Sequence, residues 1–261
     1  MTVHPIPAAS LCGSCGFHAL CLPAGLGANC TDRAGRLSQH LVKLPAGEGL
    51  FWAGADFENV YAVRSGCVKT CTVDSEGAEH VRGFHLPGDL IGLDAIHLGR
   101  HPASATAVEA TEVCVISYSR LMKLVTDAPS LQHRMLELIS RDLSMSLALA
   151  GDYSAEQRLA AFLLSLYQRL QCRGMTVGWA MHLVMPRRDI AAYLRLALET
   201  VSRVLTRFEN EDCIEVDGRE LKITAPERLW RLAEPVGICA APAPRERSPA
   251  RPIRFLQQAC A

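Results

Sequence analysis

The chain has no net charge: 27 Lys and Arg stand against 27 Asp and Glu over 261 residues. A strongly basic balance, which would point through bulk charge to nucleic acid or an anionic membrane, is absent. No run of about 18 uncharged apolar residues occurs, which argues against a membrane-spanning helix. The N-terminus has neither the basic stretch nor the apolar core of a secretory leader, so a cytoplasmic chain is expected. No Cys-x-x-Cys follows a βαβ pattern and no nucleophile lies in an evident pairing with a base, so the sequence does not read as an enzyme. What the chain does have is cysteine, eleven in all and unevenly spread. In a small secreted chain these would suggest a disulfide framework; here they read as cytosolic thiols used for metal or redox work.

Three of the thiols fall within ten residues, Cys12-Gly-Ser-Cys15-Gly-Phe-His-Ala-Leu-Cys21. The small neighbours Gly13, Ser14, Gly16 and Ala19 let the backbone wrap closely around something compact. Thiolates are soft ligands that select iron–sulfur clusters, zinc or cuprous copper over hard cations. An iron–sulfur cluster normally takes four cysteines, so three here imply a fourth elsewhere. On spacing alone Cys30, Cys67, Cys71 and Cys114 are equally eligible. His18, inside the run, would act as a ligand only toward zinc.

Residues 1–37 read as a cysteine-rich segment whose first ten residues are a loose arm. From residue 38 to 118, short apolar runs recur at strand length: Leu41–Leu44, Leu50–Trp52, Val60–Val63, Val68–Val73, Val81–Phe84, Leu90–Leu93, Ala103–Val108 and Val113–Ile116. Turn chemistry separates them, and glycines at 54, 66, 77, 88 and 99 mark turns at a nearly constant interval. Many short strands so spaced predict a β-roll.

Residues 119–152 switch to helical spacing, with Pro129 placed as a helix entry. Leu131, Met135, Leu138, Met145 and Leu149 form one stripe with Asp142 inside it; Leu136, Ile139, Leu143, Leu147 and Ala150 form another. Two apolar faces on one helix predict burial twice, against its own β-roll and against a second copy. A helix inside a single core has the same periodicity. The homodimer seam is assigned to the first stripe, with Ser146 taking the seam position in the other helix register.

Residues 153–233 read as a winged helix-turn-helix. Ala155–Leu170 is an amphipathic helix ended by Cys172-Arg-Gly, and Pro186 opens a helix, tight turn and second helix. Ile190, Ala191 and Leu194, then Val201, Val204, Leu205 and Phe208, supply the inner faces. Glu199, Ser202 and Arg203 stand at i, i+3 and i+4 on the outer face of the second helix, where a recognition helix carries its base-reading residues. Arginine forks to guanine, glutamate accepts from cytosine, and serine bonds either way. Alternating runs across Asp217-Gly218 predict a hairpin wing. A Glu-x-x-Ser-Arg face also fits any solvated helix, and nine basic residues meet nine acidic ones between Ala180 and Arg231. Residues 234–261, rich in Ala, Pro and Arg, read as a disordered tail.

In this order, the cysteine run, glycine-punctuated roll, long helix and winged domain resemble the CRP/FNR superfamily of bacterial regulators, and its fumarate–nitrate reductase (FNR/Anr) branch most of all. The resemblance is carried by Cys12-x2-Cys15-x5-Cys21, Tyr61-Ala-Val-Arg-Ser-Gly, Gly83-Phe-His-Leu-Pro-Gly-Asp-Leu-Ile-Gly, His101-Pro-Ala-Ser, Arg158-Leu-Ala-Ala-Phe and Leu198-Glu-Thr-Val-Ser-Arg. It runs from about Cys12 to Trp230 and implies an α+β fold: a cyclic-nucleotide-binding type of β-roll (a double-stranded β-helix), a long dimerisation helix and a winged helix-turn-helix.

It further implies that Cys12, Cys15, Cys21 and Cys114 hold a [4Fe-4S] cluster, Cys114 being the position that matches the remote ligand. The implied function is an oxygen-responsive regulator that dimerises, binds palindromic double-stranded DNA with TTGAT-like half-sites, and touches RNA polymerase through surface loops. The implied cyclic-nucleotide contacts are missing: Leu93 stands where the nucleotide-binding branch has Glu, and Ala103 where it has the phosphate-clamping Arg. No cyclic nucleotide is therefore expected. A zinc-stapled or thiol-redox regulator on the same fold is the alternative. The link from the long helix to Arg158 is shorter than is usual in the family.

Overall fold

The computed structural model describes residues 2–4, 15–17, 19–22, 24, 38, 40–149 and 151–237. Each of the eight short runs carries a strand: β2 (His40–Leu44), β3 (Gly49–Phe51), β4 (Asn59–Ser65), β5 (Val68–Val73), β6 (Glu79–His85), β7 (Leu90–Ile91), β8 (Ser104–Ala107) and β9 (Thr111–Ser117). They form two antiparallel sheets, ordered β2-β9-β4-β7 and β3-β8-β5-β6. Val42, Leu44, Val63, Val68, Ala105, Val113 and Val115 belong to the core cluster of this β-roll, alternating with outward residues as a half-buried strand requires. The arm expected to be loose contributes β1 (Thr2–His4), paired antiparallel with β2. Without it β2 would leave a row of unpaired backbone groups at the sheet edge.

Two helices follow, α1 (Tyr118–Asp127) and α2 (Pro129–Leu149), broken at Ala128 ahead of Pro129. Leu131, Met135 and Leu138 of α2 are buried in the chain's own core with Val60, Leu90 and Leu121. Three residues of the stripe assigned to the dimer seam thus face the chain's own β-roll. The outward stripe is the other one, with Leu136, Leu143 and Leu147 exposed at 54%, 56% and 64%. Of the remaining seam positions, Asp142 and Met145 are half-buried and Ser146 is exposed, and the side chain of Leu149 lies outside the described residues. Asp142 also pairs with Arg141 at 3.1 Å, which compensates its charge within the subunit. Periodicity reveals two stripes and cannot say which turns inward.

The last domain contains α3 (Ala155–Gln171), β10 (Ala180–His182), α4 (Arg187–Leu194), α5 (Leu198–Asn210), the hairpin β11 (Ile214–Asp217) and β12 (Glu220–Ile223), and α6 (Pro226–Ala233). Ser154 caps α3 through a capping box with Gln157. The wing is a three-stranded sheet, β10-β12-β11, its hairpin turning at Gly218 with φ 60°. The sequence reading missed α6, although Pro226 at its start and the buried Leu229 and Ala233 give it a clear amphipathic frame. A final turn at Glu234–Val236 buries Val236, so the folded chain continues past the point where the tail was expected to begin. Among the described residues no helix is long and apolar enough to cross a membrane.

The winged domain is docked on the β-roll. Phe84 of β6, Phe162 of α3 and Tyr193 of α4 form an aromatic triangle with ring centres 5.4–6.3 Å apart. Beside it, Lys69 of β5 bonds Glu79 at 2.9 Å and Asp189 of α4 at 3.1 Å. The firmest tie is Asp89, buried at the end of the turn Leu86-Pro87-Gly88-Asp89. One oxygen takes Arg169 at 2.6 Å and the Leu86 amide at 2.8 Å; the other takes Arg173 at 2.7 Å and Arg141 at 3.1 Å. Arg169 also donates to the Phe84 carbonyl at the end of β6, and Arg173 to the Pro87 carbonyl of the turn, each at 2.7 Å. Gly88 has φ 90°, and a Cβ there would lie 2.9 Å from Leu20, so glycine serves both the turn and the close approach of the cysteine-bearing segment.

Burial by itself would raise the Asp89 pKa, but the charges of Arg169, Arg173 and Arg141 override it and hold the carboxyl well below the usual carboxylate range. A depressed folded pKa stabilises the protein above the unfolded value of about 3.9, and that contribution is lost as pH falls through it toward the folded value. Asp89→Asn removes the only charge that compensates this arginine cluster from the turn. It is expected to cost about 3–5 kcal/mol of stability at neutral pH in urea unfolding. The gap to the native chain is expected to narrow on acidification below about pH 4. An unchanged gap there would mean that the charge of Asp89 is not what matters.

Candidate functional site

The cysteine-bearing segment is shaped by its own turns. The amides of Leu20 and Cys21 donate to the Phe17 carbonyl at 3.0 and 3.2 Å, and Ala24 donates to the Cys21 carbonyl at 3.2 Å. Leu22 anchors it, fully buried in the apolar cluster that also receives Leu131, Met135 and Leu138 of α2. Arg134 of α2 donates to the Leu20 carbonyl at 2.6 Å. Segment and long helix are therefore in direct contact.

Cys21 and Cys114 both pack, half-buried, against this same cluster, and Cys15 is half-buried nearby in sequence. Cys114 is in β9 between Val113 and Val115; those two line the interior of the roll, so alternation turns Cys114 to the opposite face. Cys67 and Cys71 lie at β5 in the other sheet and are buried. Burial pushes the Cys67 thiol up to about 12, far from the thiolate a soft metal requires. Tertiary structure thus separates residues that spacing could not: Cys114 shares an apolar surface with Cys21, whereas Cys67 and Cys71 do not belong to it. Cys12, His18 and Cys30 lie outside the described residues. Among the described residues no group of three or more His, Cys, Asp or Glu side chains could hold a metal. Cys21, on its turn, and Cys114, on the outward face of β9, bring thiol sulfur to one apolar surface, and sulfur is the donor a soft metal centre takes.

The positions that would meet a cyclic nucleotide are otherwise engaged. Leu93 packs against the apolar cluster, Ala103 is buried, and the Ser104 hydroxyl accepts the Ala53 amide at 2.9 Å. Arg100 pairs with Asp56 at 3.5 Å. His101 is buried and stacked on Phe51 with ring centres 3.7 Å apart, and burial lowers its pKa, which favours the neutral ring.

The second region is the outer face of α5. Arg195 ends α4 in the left-handed conformation, φ 55°, and a tight turn through Leu196 and Ala197 leads into α5. Arg158 of α3 braces this corner, donating to the Leu194 carbonyl at 3.1 Å and the Tyr153 carbonyl at 3.0 Å. The Leu194 carbonyl belongs to the last turn of α4, where such groups lack helical partners. Val201, Val204, Leu205 and Phe208 are buried as the inner face. Glu199 and Arg203 are exposed and Ser202 half-exposed on the opposite face. Sequence reasoning missed that this face continues: a shallow surface groove is lined by Ser202, Arg203, Thr206, Arg207 and Asn210. The i+3, i+4, i+7 and i+8 spacing from Glu199 was the signal available for the first four. Arg207 is tied to Glu156 and, at 2.8 Å, to Glu211, whereas among the described residues Arg203 bonds within its own helix, at the Glu199 carbonyl, 3.3 Å away.

Residues 41–127 match the cyclic nucleotide-binding domain family, and residues 157–232 match the Crp-like helix-turn-helix domain family. The transcriptional activator protein Anr of Pseudomonas protegens is 38% identical over 85% of this chain and 92% of that protein. The fumarate and nitrate reduction regulatory protein of Escherichia coli K12 is 36% identical over 85% of this chain and 90% of that protein. Among solved structures, FixK2 from Bradyrhizobium japonicum superposes with a TM-score of 0.67 at 30% identity, covering 78% of this chain and 98% of that one.

Proposed function

The chain belongs to the CRP/FNR family of transcription regulators, with relatives of the Anr and fumarate–nitrate type, and from that premise we propose an oxygen-responsive DNA-binding activator. In this reading it pairs with a second copy, reads a palindromic site with TTGAT-like half-sites, and contacts RNA polymerase from its surface loops. Cys12, Cys15, Cys21 and Cys114 would hold a [4Fe-4S] cluster, which when bound supplies a redox-labile centre that oxygen degrades. The observation that carries the proposal is that Cys21, Cys114 and the inner face of α2 meet in one apolar cluster. Arg134 adds a direct bond from α2 to the cysteine-bearing segment. A change in how that segment packs is then felt by the helix that carries the dimer seam.

The seam is the outward stripe of α2, Leu136, Leu143 and Leu147, with Ile139 half-buried beside it. Their spacing is that of a coiled-coil contact. Asp142, Met145 and Ser146 flank this stripe. Glu199, Ser202 and Arg203 read base edges, and Thr206 and Asn210 extend the same face. Leu93, Ala103 and Ser104, engaged within the chain, support a regulator that takes no cyclic nucleotide.

Measurements on the cluster, the recognition helix and the seam test this reading. Purified without oxygen, the protein is expected to be brown and to contain iron and acid-labile sulfide, and to lose colour and operator binding together in air. Cys114→Ser is expected to abolish both, whereas a colourless zinc protein would favour the thiol-redox alternative. Arg203→Ala is expected to cost about 1–3 kcal/mol at one guanine position and to relax specificity there. Equal loss on every DNA sequence would make Arg203 a phosphate contact instead. Leu143→Glu is expected to leave the subunit folded yet monomeric by sedimentation. Leu138→Ala acts within the subunit and is expected to cost about 2–5 kcal/mol of its stability. Dimers of Leu143→Glu as tight as the native ones would move the seam elsewhere.

A further inference from the structure

The three arginines on Asp89 are not equivalent. Arg173 is 4% exposed and Arg169 is 20%, and each also bonds a backbone carbonyl, Pro87 and Phe84 respectively, so they are fixed. Arg141 of α2 is 37% exposed and its guanidinium is shared. Its Nη2 lies 3.1 Å from Asp89 and also 3.1 Å from Asp142, whose own side chain is 46% exposed. A cavity of about 360 Å³ opens beside it, lined among others by His85, Tyr193, Asp142 and Arg169, so the side chain has room to move. Burial lowers the pKa of His85, which favours the neutral ring.

Asp89 is therefore a carboxylate that touches α2 on one side and, through Arg169 and Arg173, the C-terminal end of α3 on the other. Its own turn packs against Leu20 at Gly88. We propose that Asp89 is a positioning residue for the winged domain: through Arg141 it passes the position of α2 to α3, and Asp142 sets how firmly by competing for the same guanidinium. Elements with two available arrangements are what carry coupling between distant sites. In this structure the guanidinium holds both carboxylates at once, Asp142 through Nε and Nη2 and Asp89 through Nη2, and loss of either carboxylate would leave it to the other.

The test uses hydrogen exchange of the full-length protein, compared at matched oligomeric state. Neither cluster nor operator enters the readout, so its failure is distinguishable from failure of the proposed function. Arg141→Gln is expected to lower the protection of amides 165–173, at the far end of α3, by about fivefold or more. Asp142→Asn releases Arg141 to Asp89 and is expected to raise protection of the same amides. A merely local role would change only α2 and the turn at residues 86–89. Shifts of opposite sign in α3 support the proposal; any other result, including shifts of the same sign or changes confined to α2, overturns it. If Arg141→Gln does not fold, Asp142→Asn alone carries the signed expectation, and unchanged or lowered protection of α3 overturns the proposal.

Discussion

A single buried carboxylate, on a four-residue turn, faces guanidinium groups from α2, α3 and the turn just after α3, and the docking of the two domains depends on that meeting. Asp89 must be ionised for three cations to be tolerable side by side, and those cations in turn keep it ionised. Because Arg169 and Arg173 also bond the Phe84 and Pro87 carbonyls, the turn cannot shift without leaving hydrogen-bonding groups on both sides unsatisfied. The aromatic triangle of Phe84, Phe162 and Tyr193 adds apolar area beside this tie. The ionic contacts add orientation, which apolar burial does not supply.

Beside this turn, one apolar cluster joins parts of the chain that are far apart in sequence. Leu22 and Cys21 come from the N-terminal segment, Cys114 from the middle of a sheet, and Leu131, Met135 and Leu138 from α2. Any change in the N-terminal segment therefore has a short physical path to the outward stripe of α2. Arg141, further along the same helix, bonds Asp89, so α2 meets both this apolar cluster and the tie to the winged domain. Its inner face belongs to the subunit, and its outer face is open to a second copy.

Local structure was largely legible. The eight strands follow from apolar runs separated by turn residues, and the helix-turn-helix follows from Pro186, the spacing of Ile190 to Phe208 and the Asp217-Gly218 turn. The elements that escaped have identifiable reasons. The strand β1 is three residues long and forms only because β2 has an unpaired edge. The helix α6 is eight residues long and packs on α3, a contact with no local signature. The two stripes of α2 are equally apolar, so the inward one depends on the cluster that receives it.

For the site, the cysteine spacing and the polar face of α5 were visible directly, since each is contained within one short segment. Family resemblance singled out Cys114, and its position beside Cys21 depends on which face of β9 it occupies. Taken alone, the sequence determined element types, turn positions and the polar and apolar faces, because propensity and periodicity act over a few residues. Only the tertiary structure decided which thiol shares a surface with the N-terminal run, which stripe of α2 turns outward, and that Asp89 binds three arginines. Those outcomes depend on pairings between residues separated by as many as 114 positions, as in Arg134 and Leu20, and no local pattern records them.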